Sequence, residues 1–592
     1  MKISYLNGSR LYYAFLAGGD AVIQDQTYLN RINVFPVPDA DTGTNLASTM
    51  RSITEGASPH HSIRETLRSI ADTALTGARG NSGIIFAQFL LGFSREVKNR
   101  DRLSTQSFGE AVQRAVNYAY QAMAAPVEGT MLTVIRDWAE AVHQQSARLS
   151  DFSDLLSYSL RVAHKSLKDT PKKLKVLAAA GVVDAGAKGF VDFLEGVVEF
   201  IKKGKLKVIN RMKSRALEVE FPTHSHRSRV EQRYCAEALL CGSGIDLDRM
   251  REFVQAFGTS AIVAGSEDKA RIHVHTDRPD ELFSGLKDFG VTTQIKVDDM
   301  RRQFEAGHAR KFETGLLTDS ACDLPPELLD EFQIHIIPFS LSFGDDLYLD
   351  KVTIKPDKFY SLLESESEHP KTAQPSQQTV QNMLAFLSGH YKRVIAVHIA
   401  DGLTGIFKSS LAAQRALGDA NIHVIDSRNI SVSQGLVVLR IAEAIRDGAG
   451  ADDILAQVED WISKTMILVD VETLKYFVRG GRVSPLKGQV AKLMHVKPIL
   501  SLNAEGKSYP FAKSFSRRMT QRKIMQAVEE MTSRGRIWNY AVVHALNPGR
   551  ARTYVDEMRS LLRREPAYVM QVSPVIGVHS GIGAVAVSVM LE

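Results

Sequence analysis

NVFPVPDADTGTN, at residues 33–45, is the segment from which the architecture of the N-terminal part of the chain is most directly inferred. Its two prolines restrict the backbone and hold the carboxylates of Asp39 and Asp41 near each other before a ligand arrives. Gly43 lets a phosphate approach the main chain closely. Two such carboxylates repel unless a cation lies between them, and Mg²⁺ prefers carboxylate oxygens together with substrate phosphates. The segment therefore predicts a divalent-metal and phosphate site, and a solvated Asp-Gly turn is the alternative.

The length and composition of the chain are those of a multidomain globular protein. Its 592 residues predict three or four domains, and hydrophobic and charged fractions of 44% and 24% exclude a disordered or fibrous class. The net charge of +6 permits transient contact with a membrane surface, but Lys and Arg are dispersed and we expect no nucleic-acid binding. The three cysteines indicate a reducing compartment. Since no apolar run reaches about 18 residues, we expect a cytoplasmic protein.

Residues 62–203 show apolar side chains at helical spacing, which predicts an all-α N-terminal domain. Three further glycine-rich turns, at 77–83, 128–131 and 180–189, each precede a predicted helix. Helix N-termini carry unpaired N–H groups and a partial positive charge, so several of them converging on one point would form an anion-binding rim beside the carboxylate pair. For any single turn, the alternative is close helix packing through Gly and Ala.

These motifs resemble the nucleotide-binding L subunit of dihydroxyacetone kinase and, more specifically, the kinase component of bacterial fatty acid kinase, over most of residues 1–205. The resemblance implies an eight-helix barrel that holds ADP or ATP and two Mg²⁺ ions at one mouth, with Asp39 and Asp41 as metal ligands. It places five residues near the phosphates: Thr44, Asn45, Asn81, Ser82 and Thr130. Ala40 and Ala187 stand where the family pattern commonly has Gly, so the backbone at both positions must tolerate a Cβ atom.

A basic, exposed linker is predicted at 206–230, followed by a small α+β middle domain at 231–311. The predicted elements of this domain are two strands and an intervening helix: 234–240, 247–257 and 271–276. Side chains at i and i+2 share a strand face, so His273 and His275 project together, and a cysteine could complete a zinc triad with an open fourth position. The alternative is a pair of strand histidines that are hydrogen-bonded to neighbouring groups.

Two short motifs resemble the middle domain of the fatty acid kinase component, in which a Cys and two His bind zinc. They are Tyr-Cys at 234–235 and His-x-His-Thr at 273–276. The resemblance implies Cys235, His273 and His275 as zinc ligands. The nearby Cys241 is expected in the core.

The C-terminal half changes class, because strand-like apolar runs alternate with helices from Gly315 onward. This pattern predicts βαβ units and a mostly parallel sheet. The predicted strands lie at 315–318, 334–339, 394–399 and 422–425, and in a second lobe at 499–502, 540–543 and 584–587. Ligands of open α/β sheets bind beyond the carboxyl ends of the strands. The cleft between the two lobes is therefore the predicted ligand site.

Residues 313–592 resemble the DegV family of bacterial fatty-acid-binding proteins. The resemblance is carried by TDSACDLP (318–325), KTAQPS (371–376), DGLTG (401–405), GGRVS (480–484) and IGVHSGIGA (576–584). It implies an apolar tunnel for an acyl chain and three residues that hold the carboxylate: Thr372, Thr404 and His579. Hydroxyls and an imidazole are suitable partners for a buried carboxylate. Two residues depart from the family pattern, since Ala373 removes a hydroxyl and Asp401 would repel a carboxylate unless it is protonated or turned away.

The motifs together predict a multidomain protein: a DhaL-like all-α helical barrel (1–205), a small α+β domain (231–311) and a two-lobed α/β DegV-like domain (312–592). The expected activity is ATP-dependent phosphorylation of a bound fatty acid to an acyl phosphate for phospholipid synthesis. Two alternatives stay open, a non-catalytic lipid-binding or shuttling protein and a kinase of another acceptor such as a polyol. The resemblance also implies that Arg517 or Arg518 assists docking to the kinase. If the linker cannot bring the sites together, a homodimer would deliver the acyl group in trans.

Overall fold

The computed structural model describes residues 2–35, 41–98, 100–203, 231–481 and 497–592. Two compact units make up the chain, Met1–Gln303 and Phe304–Glu592. The predicted linker at 206–230 lies outside the described residues. None of the helices in the described ranges combines the length and hydropathy that crossing a membrane requires.

The N-terminal part of the first unit is helical, as its apolar periodicity predicts. Its helices are α1 (Gly8–Gln24), α2 (Gln26–Arg31), α3 (Thr42–Gly56), α4 (Ile63–Gly77), α5 (Gly80–Glu96), α6 (Thr105–Ala122), α7 (Met131–Ser146), α8 (Phe152–Lys173), α9 (Lys175–Ala180) and α10 (Ala185–Lys203). Two short strands, β1 (Leu6–Asn7) and β2 (Arg102–Leu103), pair antiparallel. Buried rings of Phe86, Trp138 and Phe190 meet edge to face, so aromatic side chains fill the space between the helices.

The glycine-rich segments lie at helix starts, as predicted. Helix α5 begins within 77–83, α7 begins within 128–131, and α10 begins within 180–189. Helix α3 begins at Thr42, directly after the Asp39/Asp41 segment. Four helices therefore start at the motifs that the sequence singles out.

The middle of the chain forms a four-stranded antiparallel sheet in the order β4-β5-β3-β6. Its elements are β3 (Tyr234–Cys241), α11 (Leu247–Gln255), β4 (Gly258–Gly265), β5 (Lys269–Thr276), α12 (Pro279–Leu286) and β6 (Val291–Asp299). The predicted strands and helix are present, but β4 and β6 were not predicted, because β4 is rich in small residues and β6 in polar ones. The sheet packs on the helical domain, and the Gly265 N–H donates to Gln88 Oε1 of α5 at 2.9 Å.

The first lobe of the second unit contains a parallel sheet in the order β13-β12-β7-β8, which confirms the βαβ prediction for this lobe. A separate three-stranded antiparallel sheet has the order β10-β9-β11. Helix α13 (Met300–His308) precedes the lobe, whose elements are β7 (Thr314–Asp319), α14 (Pro326–Glu331), β8 (His335–Ile337), β9 (Ser340–Phe343), β10 (Asp346–Leu349), α15 (Pro356–Ser365), β11 (Lys371–Ala373), α16 (Gln377–His390), β12 (Arg393–His398), α17 (Ile406–Leu417) and β13 (Ile422–Asp426).

The second lobe holds a six-stranded sheet in the order β16-β15-β14-β19-β17-β18. The elements that follow β13 are α18 (Ser431–Arg446), α19 (Ala451–Ser463), β14 (Thr465–Asp470), α20 (Lys475–Arg479), β15 (Lys497–Leu502), β16 (Ser508–Ser514), α21 (Arg517–Thr532), β17 (Ile537–His544), α22 (Pro548–Leu562), β18 (Val569–Gln571), α23 (Pro574–Ser580) and β19 (Val585–Leu591). Only β17 and β18 pair in parallel, so the expectation of a mostly parallel sheet is wrong for this lobe. The short connection between β15 and β16 permits only a hairpin, whereas parallel strands need a long crossover.

Candidate functional site

The N-termini of α3 and α5 contact each other through Asn45 and Gly80. Asn45 is buried in the first turn of α3, and Gly80 begins α5 with a φ of +59°. A Cβ atom at Gly80 would lie 2.6 Å from Asn45 Nδ2. Gly80 is therefore required both by its left-handed backbone and by the close approach of the two helices.

The N-termini of α7 and α10 join the same cluster. Gly186 of α10 packs against the Ser82 hydroxyl of α5, where a side chain would clash. The buried Asp184 carboxylate accepts hydrogen bonds from the backbone N–H groups of Ala187 in α10, at 2.8 Å, and of Met131 in α7. Four helix N-termini thus converge, which is the arrangement that binds phosphate groups.

The five residues predicted near the phosphates lie in or next to the first turns of these helices: Thr44, Asn45, Asn81, Ser82 and Thr130. Thr44 is exposed, and Asn30 Nδ2 donates to its hydroxyl at 2.9 Å. Thr130 is the N-cap residue of α7, and its hydroxyl donates to Val127 O. The buried Asn81 Oδ1 atom has no hydrogen-bond partner among the described residues. Amide oxygens are among the ligands that hard cations take, so this atom suits a Mg²⁺ site.

Asp184 is the one carboxylate that the structure places at the joint of α7 and α10. Burial raises the pKa of Asp184 to about 6, although hydrogen bonds from two backbone N–H groups act to lower it. The folded state therefore holds this proton more tightly than the unfolded chain, and the stabilisation is fully present below about pH 4 and is lost as the pH rises through about 6. The difference from the ordinary pKa of 3.8 corresponds to about 3 kcal/mol.

Asp184→Asn is expected to remove this pH dependence. The thermal unfolding midpoint of the wild type should fall relative to that of the variant between pH 4 and pH 7, because only the wild type must ionise a buried carboxyl. Asp154→Asn, at an exposed position on α8, is the matched control. Parallel pH profiles of the wild type and Asp184→Asn would contradict the assignment.

The metal-site carboxylates predicted from the sequence are only partly described. Asp39 lies outside the described residues, and Asp41 is the N-cap residue of α3. Burial raises the pKa of the Cys235 thiol well above its usual value, and the charges of Glu237 and Asp41 add to this rise. Burial acts to lower the pKa of Lys296, but neighbouring negative charges, Asp41 among them, raise it overall. Asp41 therefore lies within electrostatic reach of the middle-domain sheet.

Cys235, His273 and His275 form a cluster on one face of that sheet. Their ligand atoms all lie within 4.8 Å of one another, and Cys235 Sγ is 3.7 Å from His273 Nδ1. Burial, together with the neighbouring His273, lowers the pKa of His275 to about 3, so its ring is neutral at physiological pH. His273 Nε2 is buried without a hydrogen-bond partner among the described residues. Thiolate and imidazole groups at these separations fit a zinc ion, with these three side chains leaving one position open.

Charged residues that the sequence reasoning missed surround this cluster. Glu237, only 1% exposed, lies within 3.5 Å of Arg79 and Arg271. Burial acts to raise the pKa of Glu237, but the His273 hydrogen bond and nearby cations, including Lys296, hold it well below its usual range. The register of β3 and β6 places Lys296 directly opposite Glu237. The i, i+2 spacing of Cys235 and Glu237 was a signal in the sequence, but the partners from β6 required the sheet register.

Cys241, at the far end of β3, departs from its prediction. The side chain is half-buried, with Sγ 3.9 Å from Thr293 Oγ1, so the expectation of a core position is wrong. It lies where β3 ends, beyond the residues of the strand that are fully buried.

A cavity of about 320 Å³ lies between the two lobes of the second unit, where the sequence predicts the ligand site. This volume is within the range of about 300–1,000 Å³ that is typical of small-molecule sites. The lining is mainly apolar and includes Phe339 and Ile399 from the first lobe and Ile467, Val543 and Ala586 from the second. An apolar chain could therefore be buried between the lobes.

The three predicted carboxylate-holding residues all line this cavity. Thr372 Oγ1 lies 3.5 Å from His579 Nε2, and the Thr404 hydroxyl donates to Gln374 Oε1 at 3.1 Å. Gln374, which the sequence reasoning did not assign, also lines the cavity. The structure therefore brings together hydroxyl, imidazole and amide groups against an otherwise apolar wall.

The two departures from the family pattern do not line the cavity. Asp401 forms an ion pair with Lys408 at 2.9 Å, and it is absent from the lining residues in the described part of the chain. Its carboxylate is thus turned away from the cavity and balanced by a cation. Ala373 is exposed on β11 and also contributes no lining.

The predicted docking arginines lie on the surface of the second lobe. Arg517 and Arg518 are exposed in the first turn of α21, and Arg517 pairs with Glu472 at 3.0 Å. Phe515, just before the helix, is 60% exposed. No described contact assigns this surface a partner within its unit beyond the Glu472 ion pair.

Three family models match the chain in succession. The DAK2 domain matches residues 36–199, the middle domain of FakA-like fatty acid kinase proteins matches residues 231–307, and the DegV family, described as uncharacterised, matches residues 313–592. The matches follow the order of the helical domain, the four-stranded sheet and the two-lobed unit.

Relatives and solved structures resemble parts of the chain. Uncharacterized proteins of Staphylococcus saprophyticus and Staphylococcus aureus are each 32% identical over 311 residues, or 51% of this chain. The chain spans only 56% and 57% of their lengths. The crystal structure of DegV, a fatty acid binding protein from Bacillus subtilis, is 28% identical with a TM-score of 0.44, covering 48% of this chain and all of that chain. A fatty-acid-binding DegV-family protein from Thermus thermophilus is 22% identical with a TM-score of 0.43, covering 47% of this chain and 99% of that one.

The chain therefore belongs with proteins built from these modules, and it joins a DAK2 domain, a FakA-like middle domain of the fatty acid kinase type and a DegV-family domain in one polypeptide.

Proposed function

We propose that this protein is a fatty acid kinase-like enzyme that transfers the γ-phosphoryl group of ATP to the carboxylate of a fatty acid held in its DegV-family domain. The observation that carries the proposal is the convergence of four helix N-termini beside Asp41. That rim occurs in a chain that also has a kinase-type middle domain and an apolar cavity.

The nucleotide phosphates would bind at the rim formed by α3, α5, α7 and α10. Their N–H groups and partial positive charges favour phosphate without reorganisation during the reaction, because the helices are already held together. Asp39 and Asp41 would hold Mg²⁺, which supplies charge neutralisation to the transferred group when it is bound. Cys235, His273 and His275 would hold zinc beside this rim and leave its fourth position open.

The acceptor chemistry favours a carboxylate. One carboxylate oxygen of the fatty acid would form a bond to the γ-phosphorus while the bond to the β–γ bridging oxygen breaks, giving acyl phosphate and ADP. This acceptor is anionic at neutral pH, so no general base has to remove a proton, as it would from a polyol hydroxyl. The chain's own contribution is then positioning and charge stabilisation.

The acyl ligand would lie in the cavity of the second unit. Its chain would contact the apolar lining, and its carboxylate would face Thr372, Thr404 and His579. Because both modules belong to one chain, their encounter is intramolecular, with an effective concentration on the order of millimolar if the linker spans the two sites.

Thr372→Val is expected to weaken fatty acid binding with little change in shape. A hydrogen bond to a charged group contributes about 1.5–3 kcal/mol, so Kd should rise about 10- to 150-fold. Calorimetry with oleate measures this directly. Thr532→Val, at an exposed position near the end of α21, is the control that should leave Kd unchanged. An unaltered Kd for Thr372→Val would remove this residue from the site.

The activity itself is tested by incubating the protein with ATP, Mg²⁺ and oleate and trapping acyl phosphate with hydroxylamine. We expect ATP-dependent oleoyl hydroxamate. Oleate binding without hydroxamate would favour a lipid carrier, whereas ATP consumption that depends on a polyol would favour another acceptor.

A further inference from the structure

Glu237 lies between the zinc-type cluster and the nucleotide rim and contacts both. The backbone N–H of Gly80, the first residue of α5, donates to Glu237 Oε1 at 2.7 Å. The same oxygen lies 3.3 Å from His273 Nδ1. One carboxylate oxygen thus joins a metal-ligand candidate to the helix start that carries Asn81 and Ser82.

The other carboxylate oxygen is fixed by two arginines. Arg79 and Arg271 both lie 3.5 Å from Glu237 Oε2, and Arg271 also donates to the Thr76 carbonyl near the end of α4 at 3.1 Å. Glu237 and Arg271 are each 1% exposed. Because the carboxylate is held from several directions in a dry environment, movement of its His273 contact is not absorbed by solvent.

We infer that Glu237 couples metal occupancy at Cys235, His273 and His275 to nucleotide affinity at the start of α5. The inference deepens the proposed function and rests on it. A metal-bound histidine is commonly oriented by a carboxylate at its other ring nitrogen. A metal on the cluster would therefore fix the His273 ring, the Glu237 oxygen and the Gly80 N–H in turn. Without the metal, that ordering has to accompany nucleotide binding and weakens it.

The coupling must be reciprocal, because linkage requires ADP to strengthen zinc binding by the factor with which zinc strengthens ADP binding. Typical coupling corresponds to about 5- to 150-fold. Glu237 acts here as a positioning residue, since it touches neither phosphate nor metal in the inferred arrangement.

The test is calorimetric titration of ADP, with Mg²⁺, into the full chain in zinc-loaded and zinc-stripped forms. We expect zinc to lower the Kd of the wild type at least about 5-fold. In Glu237→Gln, the ratio of the two Kd values should fall below about 2. Glu252→Gln, at an exposed position on α11 of the same domain, should keep the wild-type ratio.

A second measurement needs no substitution at the buried position. Hydrogen–deuterium exchange of peptides covering the start of α5 should slow in the wild type when zinc is added. ADP binding of equal strength in both metal states would overturn the coupling alone. Absence of ADP binding in both states would overturn the nucleotide site and the coupling with it.

Discussion

Asp41→Ala is expected to lower the rate of ATP-dependent acyl phosphate formation at least about 100-fold, the scale on which loss of one preorganised electrostatic group acts. Asp41 is the N-cap residue of α3, adjacent to the rim of helix N-termini. The variant should stay folded, because removing one of two neighbouring carboxylates relieves their repulsion. The measurement is hydroxamate formation at saturating ATP, with circular dichroism as the check on folding.

Asp72→Ala is the matched control for Asp41→Ala, since Asp72 is exposed on α4 and pairs only across the surface with Arg68. It should retain the wild-type rate. A wild-type rate in Asp41→Ala would show that the carboxylate pair does not hold the catalytic metal.

Cys235→Ala is expected to reduce bound zinc from about one ion per chain to below about 0.1. The substitution removes one of three side chains whose ligand atoms lie within 4.8 Å of one another, and the remaining two histidines leave two positions open. Loss of an outer partner of a metal ligand already costs about 10- to 100-fold in affinity, so loss of a ligand should cost more. Metal analysis after dialysis against trace zinc measures the stoichiometry.

Cys241→Ala supplies an internal control for this result. Both cysteines belong to β3, but Cys241 lies at the far end of the strand, near Thr293 and away from the histidines. We expect it to retain zinc. Equal zinc content in the two variants would contradict the assignment of the cluster.

Local patterns in the sequence were enough to predict the fold class and the helix starts. Glycine-rich turns followed by periodic apolar residues are short-range signals, and α5, α7 and α10 begin inside them. The pairing of His273 with His275 needed only the two-residue period of a strand. The parallel sheet of the first lobe likewise follows from alternating strands and helices.

Features that depend on contacts between distant segments could not be predicted in the same way. Asp184 lies in a turn that the sequence singles out, yet its role depends on Met131 from another helix. Lys296 meets Glu237 only through the register of β3 and β6. The antiparallel order of the second lobe is hidden because apolar periodicity does not distinguish the directions of neighbouring strands. Gln374 could have been suspected only from its place between Thr372 and the following turn.

The central claim is that the phosphoryl group of ATP is transferred to an oxygen of a fatty acid carboxylate. Oleate labelled with oxygen-18 in its carboxylate, supplied with ATP and Mg²⁺, tests this most directly. We predict that phosphate released from the product by cleavage of the phosphorus–oxygen bond carries no label and the recovered oleate keeps both labelled atoms, whereas attack of hydroxylamine at the acyl carbon releases labelled phosphate. Production of ADP with only unlabelled phosphate and no hydroxamate would contradict the account.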